Sequence, residues 1–185
     1  EKLNFIKETL INEHKSLFLN ELQEFIDKVN IFGYHFATLD IRQDSAIHSE
    51  VFSEIINNYF KKELVSNFDS LTEDKKILSL SSLKGTIKSS EFENEIAKST
   101  IESIELINNI KISNGEKGCH RYIISNTNSS LNIFELFTMI RLTLGNDFNV
   151  DVIPLFESVS DLDNASQIMQ KVYSNKLYRN HLNKR

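Results

Sequence analysis

The chain has 185 residues, with 21 Lys and Arg against 26 Asp and Glu, and therefore a formal net charge of −5 at pH 7. Hydrophobic residues make up 40% and charged residues 25% of the sequence, which is typical of a globular domain and excludes wholesale disorder. The acidic balance argues against a nucleic-acid partner, because phosphate backbones favour clustered Lys and Arg. The single cysteine, Cys119, excludes an internal disulfide framework and favours a cytoplasmic location. No apolar run approaches the roughly 20 residues of a transmembrane helix, so we expect no membrane partner.

The first part of the chain predicts a helix, a strand and a second helix. Apolar residues recur at helical spacing over 3–29. The aromatic and β-branched run 32–41, FGYHFATLDI, predicts a strand. A four-residue apolar repeat over 47–59 predicts the next helix, with Asp44 or Ser45 at its N-cap.

The middle of the chain is mostly helical in pattern. Residues 61–90 favour a surface excursion with short helices, and a longer helical pattern runs over 92–114. The run 121–125, RYIIS, predicts a buried second strand. A helix over 131–144 follows, with Gly145 as its C-cap.

The last part predicts one more strand–helix unit. Residues 150–157, VDVIPLFE, form a strand pattern in which Pro154 marks an edge, a bulge or the exit of the strand. The apolar pattern over 162–172 predicts one more helix. Alternating strands and helices indicate an α/β fold with parallel pairing, and the long helical stretch between the first two strands indicates that helix dominates. The chain starts at Glu1 rather than Met, so we expect an excised piece of a longer protein.

Parallel strand–helix folds place functional side chains at the carboxyl ends of their strands, which here are residues 40–45, 125–130 and 157–160. Arg42 offers a planar fork of donors that suits a phosphate or carboxylate, and the alternative is a salt bridge to a neighbouring Asp or Glu. Glu157 offers a hard oxygen ligand for Mg²⁺ or Mn²⁺, and the alternative is a carboxylate that stabilises a helix N-terminus.

No other motif in the sequence predicts a specific chemistry. The histidines have no metal-ligand spacing, and no second cysteine accompanies Cys119. No phosphate-binding glycine loop, dinucleotide fingerprint or nucleophile elbow occurs. The residues by themselves therefore predict an α/β protein with a candidate anion and metal site. The histidines are His14, His35, His48, His120 and His181.

Three ordered segments carry the most specific patterns. They are residues 32–50, FGYHFATLDIRQDSAIHSE, then 121–125, RYIIS, and then 154–157, PLFE, followed by 161–169, DLDNASQIM. Together they resemble the phosphoenolpyruvate carboxylase family, whose motifs run FG…LDIRQ(E/D)S..H.E, YIIS and PLFE…DL.NA..(I/V)M. Two departures occur: Ile47 replaces an Arg found in many members, and the segment after YIIS differs from the common MA…SD.

The resemblance implies a fold, a reaction and roles for two residues. The fold would be a partial (β/α)₈ barrel within a larger, mostly helical domain, with a variable helical excursion at 61–117. The reaction would be the carboxylation of phosphoenolpyruvate by bicarbonate to oxaloacetate and phosphate, a lyase reaction of carbon dioxide fixation that uses Mg²⁺ or Mn²⁺. Arg42 would bind the substrate phosphate, and Glu157 would be one carboxylate ligand of the metal. The partners would be the two substrates, the remainder of the parent chain, and further copies in a homo-oligomer.

The resemblance also implies that the site is incomplete within these residues. The family's catalytic His precedes the matched segment, while a second metal carboxylate in a Gly-Tyr/Phe-Ser-Asp motif, a catalytic Lys and a Gly-Arg-rich loop follow it. We therefore expect the 185 residues alone to be inactive. The alternative function is a non-catalytic helical interaction module that keeps the family scaffold. A different phosphoenolpyruvate-using barrel is disfavoured by the LDIRQ run at 39–43.

Overall fold

A computed structural model of the chain describes residues 1–33, 35–59 and 68–185. Within these ranges three strands form one parallel sheet in sequence order, and helices lie in both connections. The strands are β1 (Asp40–Asp44), β2 (Arg121–Ser125) and β3 (Asp151–Pro154). The helices are α1 (Lys2–Glu13), α2 (Leu19–Phe32), α3 (Ser45–Tyr59), α4 (Glu73–Ser82), α5 (Glu95–Asn114), α6 (Ser130–Leu144), α7 (Val159–Ser174) and α8 (Lys176–Leu182). The prediction of a helix-dominated α/β fold with parallel pairing is confirmed.

The sheet has one face that helices cover and one that is more open. Side chains alternate along a strand, and in β2 Tyr122 and Ile124 are buried in the core shared with the helices, whereas Ile123 between them is half-buried. The register aligns Arg42 of β1 with Ile123, and Ile123 with Ile153 of β3. Arg42 therefore belongs to the more open face.

The core lies between the covered face of the sheet and helix α6. Every residue of α6 from Asn132 to Leu142 is buried, because α3, α4, α5 and α7 pack around it. Arg141 near its end donates through Nη1 to the Leu83 carbonyl at 2.8 Å and through Nη2 to the Leu80 carbonyl at 2.9 Å. These bonds help to satisfy carbonyls at the end of α4, where the Leu80 carbonyl also accepts from the Leu83 amide at 3.3 Å.

The expected surface excursion over 61–90 is wrong for its described part. Leu80, Leu83 and Ile87 are fully or almost fully buried in the main core, so α4 and the segment after it are structural rather than peripheral. Residues 61–67 lie outside the described ranges. The helix predicted over 92–114 begins three residues later as α5, where the Asn94 side chain caps the first turn.

Two boundaries near the start of the chain differ from the predictions. The single helical pattern over 3–29 is divided into α1 and α2 by a turn in which Lys15, Ser16 and Phe18 have φ of 54°, 61° and 60°. Left-handed backbone ends a helix, and neither Gly nor Pro marks this turn in the sequence.

The strand predicted over 32–41 begins only at Asp40. Phe32 is the last residue of α2, and Phe36 has φ of 61°, which a strand does not accommodate. Tyr34 of this run lies outside the described residues. The observed strand, DIRQD, is polar and runs on to Asp44, because pairing with β2 rather than intrinsic propensity decides its position.

The remaining elements agree more closely with the sequence patterns. Strand β2 has the predicted bounds, and Gly145 follows α6 with φ of 91°, as a glycine C-cap does. The third strand is shorter than predicted and ends at Pro154. Glu157 therefore lies in the loop between β3 and α7 rather than in the strand.

Candidate active site

The structure brings Arg42 and Glu157 into contact at the carboxyl ends of the strands. Arg42 lies on β1 and Glu157 follows β3, and although 115 positions separate them, Arg42 Nη2 donates to Glu157 Oε1 at 2.8 Å. Strand β2 lies between the two strands, so this contact spans the sheet. The two residues singled out in the sequence are thus neighbours.

The pair has the geometry of the salt bridge considered as the structural alternative for Arg42. Its side chains are 57% and 36% exposed, however, and exposed ion pairs contribute little to stability. The guanidinium has five N–H donors, and this contact uses one nitrogen. Arg42 therefore has donors left for an anionic ligand.

The position of Glu157, directly before the Ser158 N-cap of α7, is compatible with its alternative as a carboxylate stabilised by the dipole of a helix N-terminus, but the Glu157 side chain makes no capping bond to the described residues of this helix. The N-terminus of α7 is capped by Ser158 and Asp161: the Asp161 amide donates to Ser158 Oγ at 3.1 Å, and the Ser158 amide donates to Asp161 Oδ2 at 3.0 Å. The hydrogen bond from the Ser158 side chain, followed by that from the Ser158 amide, lowers the pKa of Asp161. The Glu157 side chain is directed to Arg42 instead.

A polar network that sequence reasoning missed joins the loops beside this pair. The Asp44 carboxylate accepts from the Ala46 amide at 2.8 Å, as the predicted N-cap of α3 does, and from Asn126 Nδ2 at 2.5 Å. The bond from the Ala46 amide, followed by that from Asn126, lowers the pKa of Asp44. Ser45 Oγ donates to the Asn126 carbonyl at 2.8 Å. The sequence signal for this network is the turn-rich run after β2. In the structure Asn126 has a φ of 54°, and Asn tolerates left-handed backbone more readily than most residue types.

Other titratable residues that are buried in the core include His48, Tyr122 and Glu135. His48 of α3 is fully buried, its Nε2 lies 3.3 Å from Tyr122 Oη, and burial lowers the pKa of His48 to about 4, so the ring is neutral at pH 7. Burial raises the pKa of Tyr122 to about 12. Glu135 of α6 accepts from Ser49 Oγ at 2.6 Å, and burial raises the pKa of Glu135 to about 7.

Glu157 fits a hard metal ion as one ligand among several. In the described part of the chain, no group of three or more His, Cys, Asp or Glu side chains could hold a metal ion. Protein sites for Mg²⁺ commonly use one or two carboxylates and complete the shell with water and substrate phosphates. The donor chemistry of Glu157 suits such a site, which needs further ligands beyond these residues.

None of the described helices is both long enough and apolar enough to span a membrane.

Comparison with known proteins supports one family. A family model described as phosphoenolpyruvate carboxylase matches residues 1–185. Three similar curated proteins, each named phosphoenolpyruvate carboxylase, come from the Prochlorococcus marinus strains AS9601, MIT 9215 and MIT 9301. Each is 29% identical to this chain over 191 aligned residues, which cover 98% of this chain and 19% of the relative. The chain thus spans about a fifth of the length of these relatives.

Proposed function

Because the chain belongs to the phosphoenolpyruvate carboxylase family, we propose that it contributes the phosphate-binding Arg42 and the metal-binding Glu157 to an enzyme of that kind. The complete protein joins bicarbonate to phosphoenolpyruvate and releases oxaloacetate and inorganic phosphate. The observation that carries this proposal is the 2.8 Å contact between Arg42 and Glu157, which assembles an anion-binding group and a hard carboxylate at one edge of a parallel sheet.

The sheet is a partial (β/α)₈ barrel in this proposal. Parallel strands in sequential order, with helices packed on one face, are the arrangement of neighbouring units in such a barrel. The more open face, which carries Arg42 and Ile123, is then the barrel interior. The variable helical excursion expected over 61–117 is described from residue 68 onward, and there its helices α4 and α5 are part of the core.

Arg42 acts on the phosphate of phosphoenolpyruvate. A guanidinium presents donors in a plane and pairs with two phosphate oxygens at once, which orients the phosphoryl group toward the attacking bicarbonate. Transfer of that group gives carboxyphosphate and the enolate of pyruvate, both of which are anions. A fixed cation at this position stabilises the charge as it moves and needs no reorganisation during the reaction.

Glu157 supplies one oxygen ligand to Mg²⁺ or Mn²⁺. A divalent cation held there would supply Lewis-acid stabilisation of the negative charge that develops in the reaction. Glu157 also balances the charge of Arg42 and holds its guanidinium at the carboxyl edge of the sheet. The remaining groups of the site come from parts of the complete protein beyond these residues.

The family match over 1–185 favours this role over a non-catalytic helical module. The single cysteine supports a cytoplasmic location for the enzyme. Its homo-oligomeric state stays a prediction.

The experiment is Arg42→Lys in the complete protein, with oxaloacetate formation coupled to NADH oxidation. Lys keeps the charge but loses the planar fork, so kcat/KM for phosphoenolpyruvate falls by about 10- to 100-fold, the equivalent of one charge-assisted hydrogen bond. Arg179→Lys is the matched control, because Arg179 lies exposed on α8 and its Nε donates to the Tyr173 carbonyl. An unchanged kcat/KM in Arg42→Lys overturns the proposed phosphate role.

A further inference from the structure

We propose that Asn126 is a positioning residue that holds the end of strand β1, which carries Arg42, and the loop that carries Glu157 at the spacing of their contact. The inference deepens the proposed function and rests on it. Asn126 follows β2, the strand between β1, which contains Arg42, and β3, which precedes Glu157, and its side chain donates to Asp44 rather than to either of them. It acts through the loops on both sides.

Toward β1, Asn126 makes two bonds to the residues where the strand passes into α3. Its side-chain Nδ2 donates to Asp44 Oδ2 at 2.5 Å, and its carbonyl accepts from Ser45 Oγ at 2.8 Å. The other Asp44 oxygen accepts from the Ala46 amide at 2.8 Å. Asp44 lies two residues after Arg42, so these bonds fix the end of the strand that carries the guanidinium.

Toward β3, the residue after Asn126 continues the link. Thr127 is fully buried, its amide donates to the Leu155 carbonyl at 3.0 Å, and its Oγ1 donates to the Ile124 carbonyl at 3.1 Å. The Leu155 amide donates to the same Ile124 carbonyl at 2.8 Å. Leu155 lies two residues before Glu157, so residues 126 and 127 connect both loops of the ion pair.

The backbone at Asn126 explains why this residue type suits the position. Its φ of 54° is left-handed, a conformation that Gly, Asn and Asp adopt more readily than other residues. Gly at this position would adopt the same left-handed backbone but has no side-chain amide to donate to Asp44. The family motif that the sequence resembles has Met here, which neither donates to Asp44 nor favours left-handed backbone. The departure from the motif thus brings a bond between loops that Met cannot make.

The test uses three variants of the complete protein and one control. Asn126→Gly keeps the backbone freedom and removes the amide. Asn126→Asp places a carboxylate against that of Asp44, and Asn126→Asp combined with Asp44→Asn restores a donor–acceptor pair with reversed polarity. Asn128→Gly is the control, because Asn128 lies exposed in the same loop and its side chain makes no hydrogen bond to any residue that the structure describes. Hydrogen exchange of peptides covering 44–46 and 155–157, together with kcat and KM, is measured for each.

Asn126→Gly and Asn126→Asp should speed exchange in both peptides and lower kcat by about 10-fold or more, with KM for phosphoenolpyruvate changed by less than about 3-fold. The double variant should recover both readouts, and Asn128→Gly should change neither. Unchanged exchange at 155–157, an unchanged kcat, or an equal effect of Asn128→Gly overturns the positioning role. If Arg42→Lys keeps the parental kcat/KM, the proposed phosphate role is overturned, and the positioning role is overturned with it. Hydrogen exchange of the two peptides still shows in that case whether Asn126 links the segments.

Discussion

Replacing Glu135 by Gln should remove a pH-dependent loss of stability. Glu135 lies on α6 and is 5% exposed, and its carboxylate accepts from Ser49 Oγ at 2.6 Å. Burial raises the pKa of Glu135 from 4.5 to about 7, because the bonds from Ser49 and Asn132 and the charge of Lys76 do not replace the lost hydration. Gln keeps the shape and the acceptor oxygen but carries no charge.

The magnitude follows from the two pKa values. Because the folded-state pKa of Glu135 is the higher one, its contribution to stability is fully present below pH 4.5 and is lost as the pH rises through about 7. One pH unit corresponds to about 1.4 kcal/mol, so the loss is roughly 3 kcal/mol. Relative to Glu135→Gln, the parent should therefore lose about 3 kcal/mol of unfolding free energy between pH 4 and pH 8.

Urea unfolding of the 185-residue chain at a series of pH values, at low protein concentration, measures this difference. Other titrating groups, such as His48, affect parent and variant alike and cancel in the comparison. Glu102→Gln is the control, because Glu102 is an exposed glutamate on α5. Parallel pH profiles for the parent and Glu135→Gln would refute the reasoning that the buried charge is costly.

Three further predictions concern the core, the surface and the activity of the isolated chain. Arg141→Met should lower the unfolding free energy by about 2–4 kcal/mol, because it removes the side-chain donors to the carbonyls of Leu80 and Leu83, and a loss below about 1 kcal/mol in urea unfolding would contradict this. The isolated chain should associate in light scattering, since α1 and α2 expose apolar side chains such as Phe5 (71%) and Phe25 (54%). Phe5→Glu with Phe25→Glu should shift it toward monomer, and a monomeric parent would refute the prediction. The isolated chain should form no oxaloacetate above the blank in the NADH-coupled assay, because a partial site retains little catalysis, and metal-dependent turnover would show otherwise.

The elements that could be predicted from sequence are those whose own side chains determine them. Strand β2, RYIIS, is apolar and buried on one face, so its pattern predicts its bounds. Strand β1, DIRQD, has no such pattern, and its position depends on pairing with residues about 81 positions away. The turn between α1 and α2 depends on the left-handed backbone at Phe18, which no sequence signal marks.

The candidate site likewise has one contact that the sequence predicts and one that it does not. The proximity of Arg42 and Glu157 follows from a general rule, because carboxyl ends of parallel strands meet at one edge of a sheet. The bond between Asp44 and Asn126 joins residues 82 positions apart and depends on one backbone conformation, so residue spacing does not predict it. Asn126 in a turn-rich run was the available sign, and it indicates a turn rather than a partner.

The central claim is that Arg42 and Glu157 serve one catalytic site, and a double-mutant cycle in the complete protein tests it most directly. The measured quantity is kcat/KM for oxaloacetate formation in the parent, Arg42→Lys, Glu157→Gln and the double variant. Residues that act as a unit are not additive, so the double variant should lie within about 3-fold of the worse single variant, with both single variants at least about 10-fold below the parent. Single variants that keep the parental kcat/KM, or two losses that simply multiply, would contradict the account.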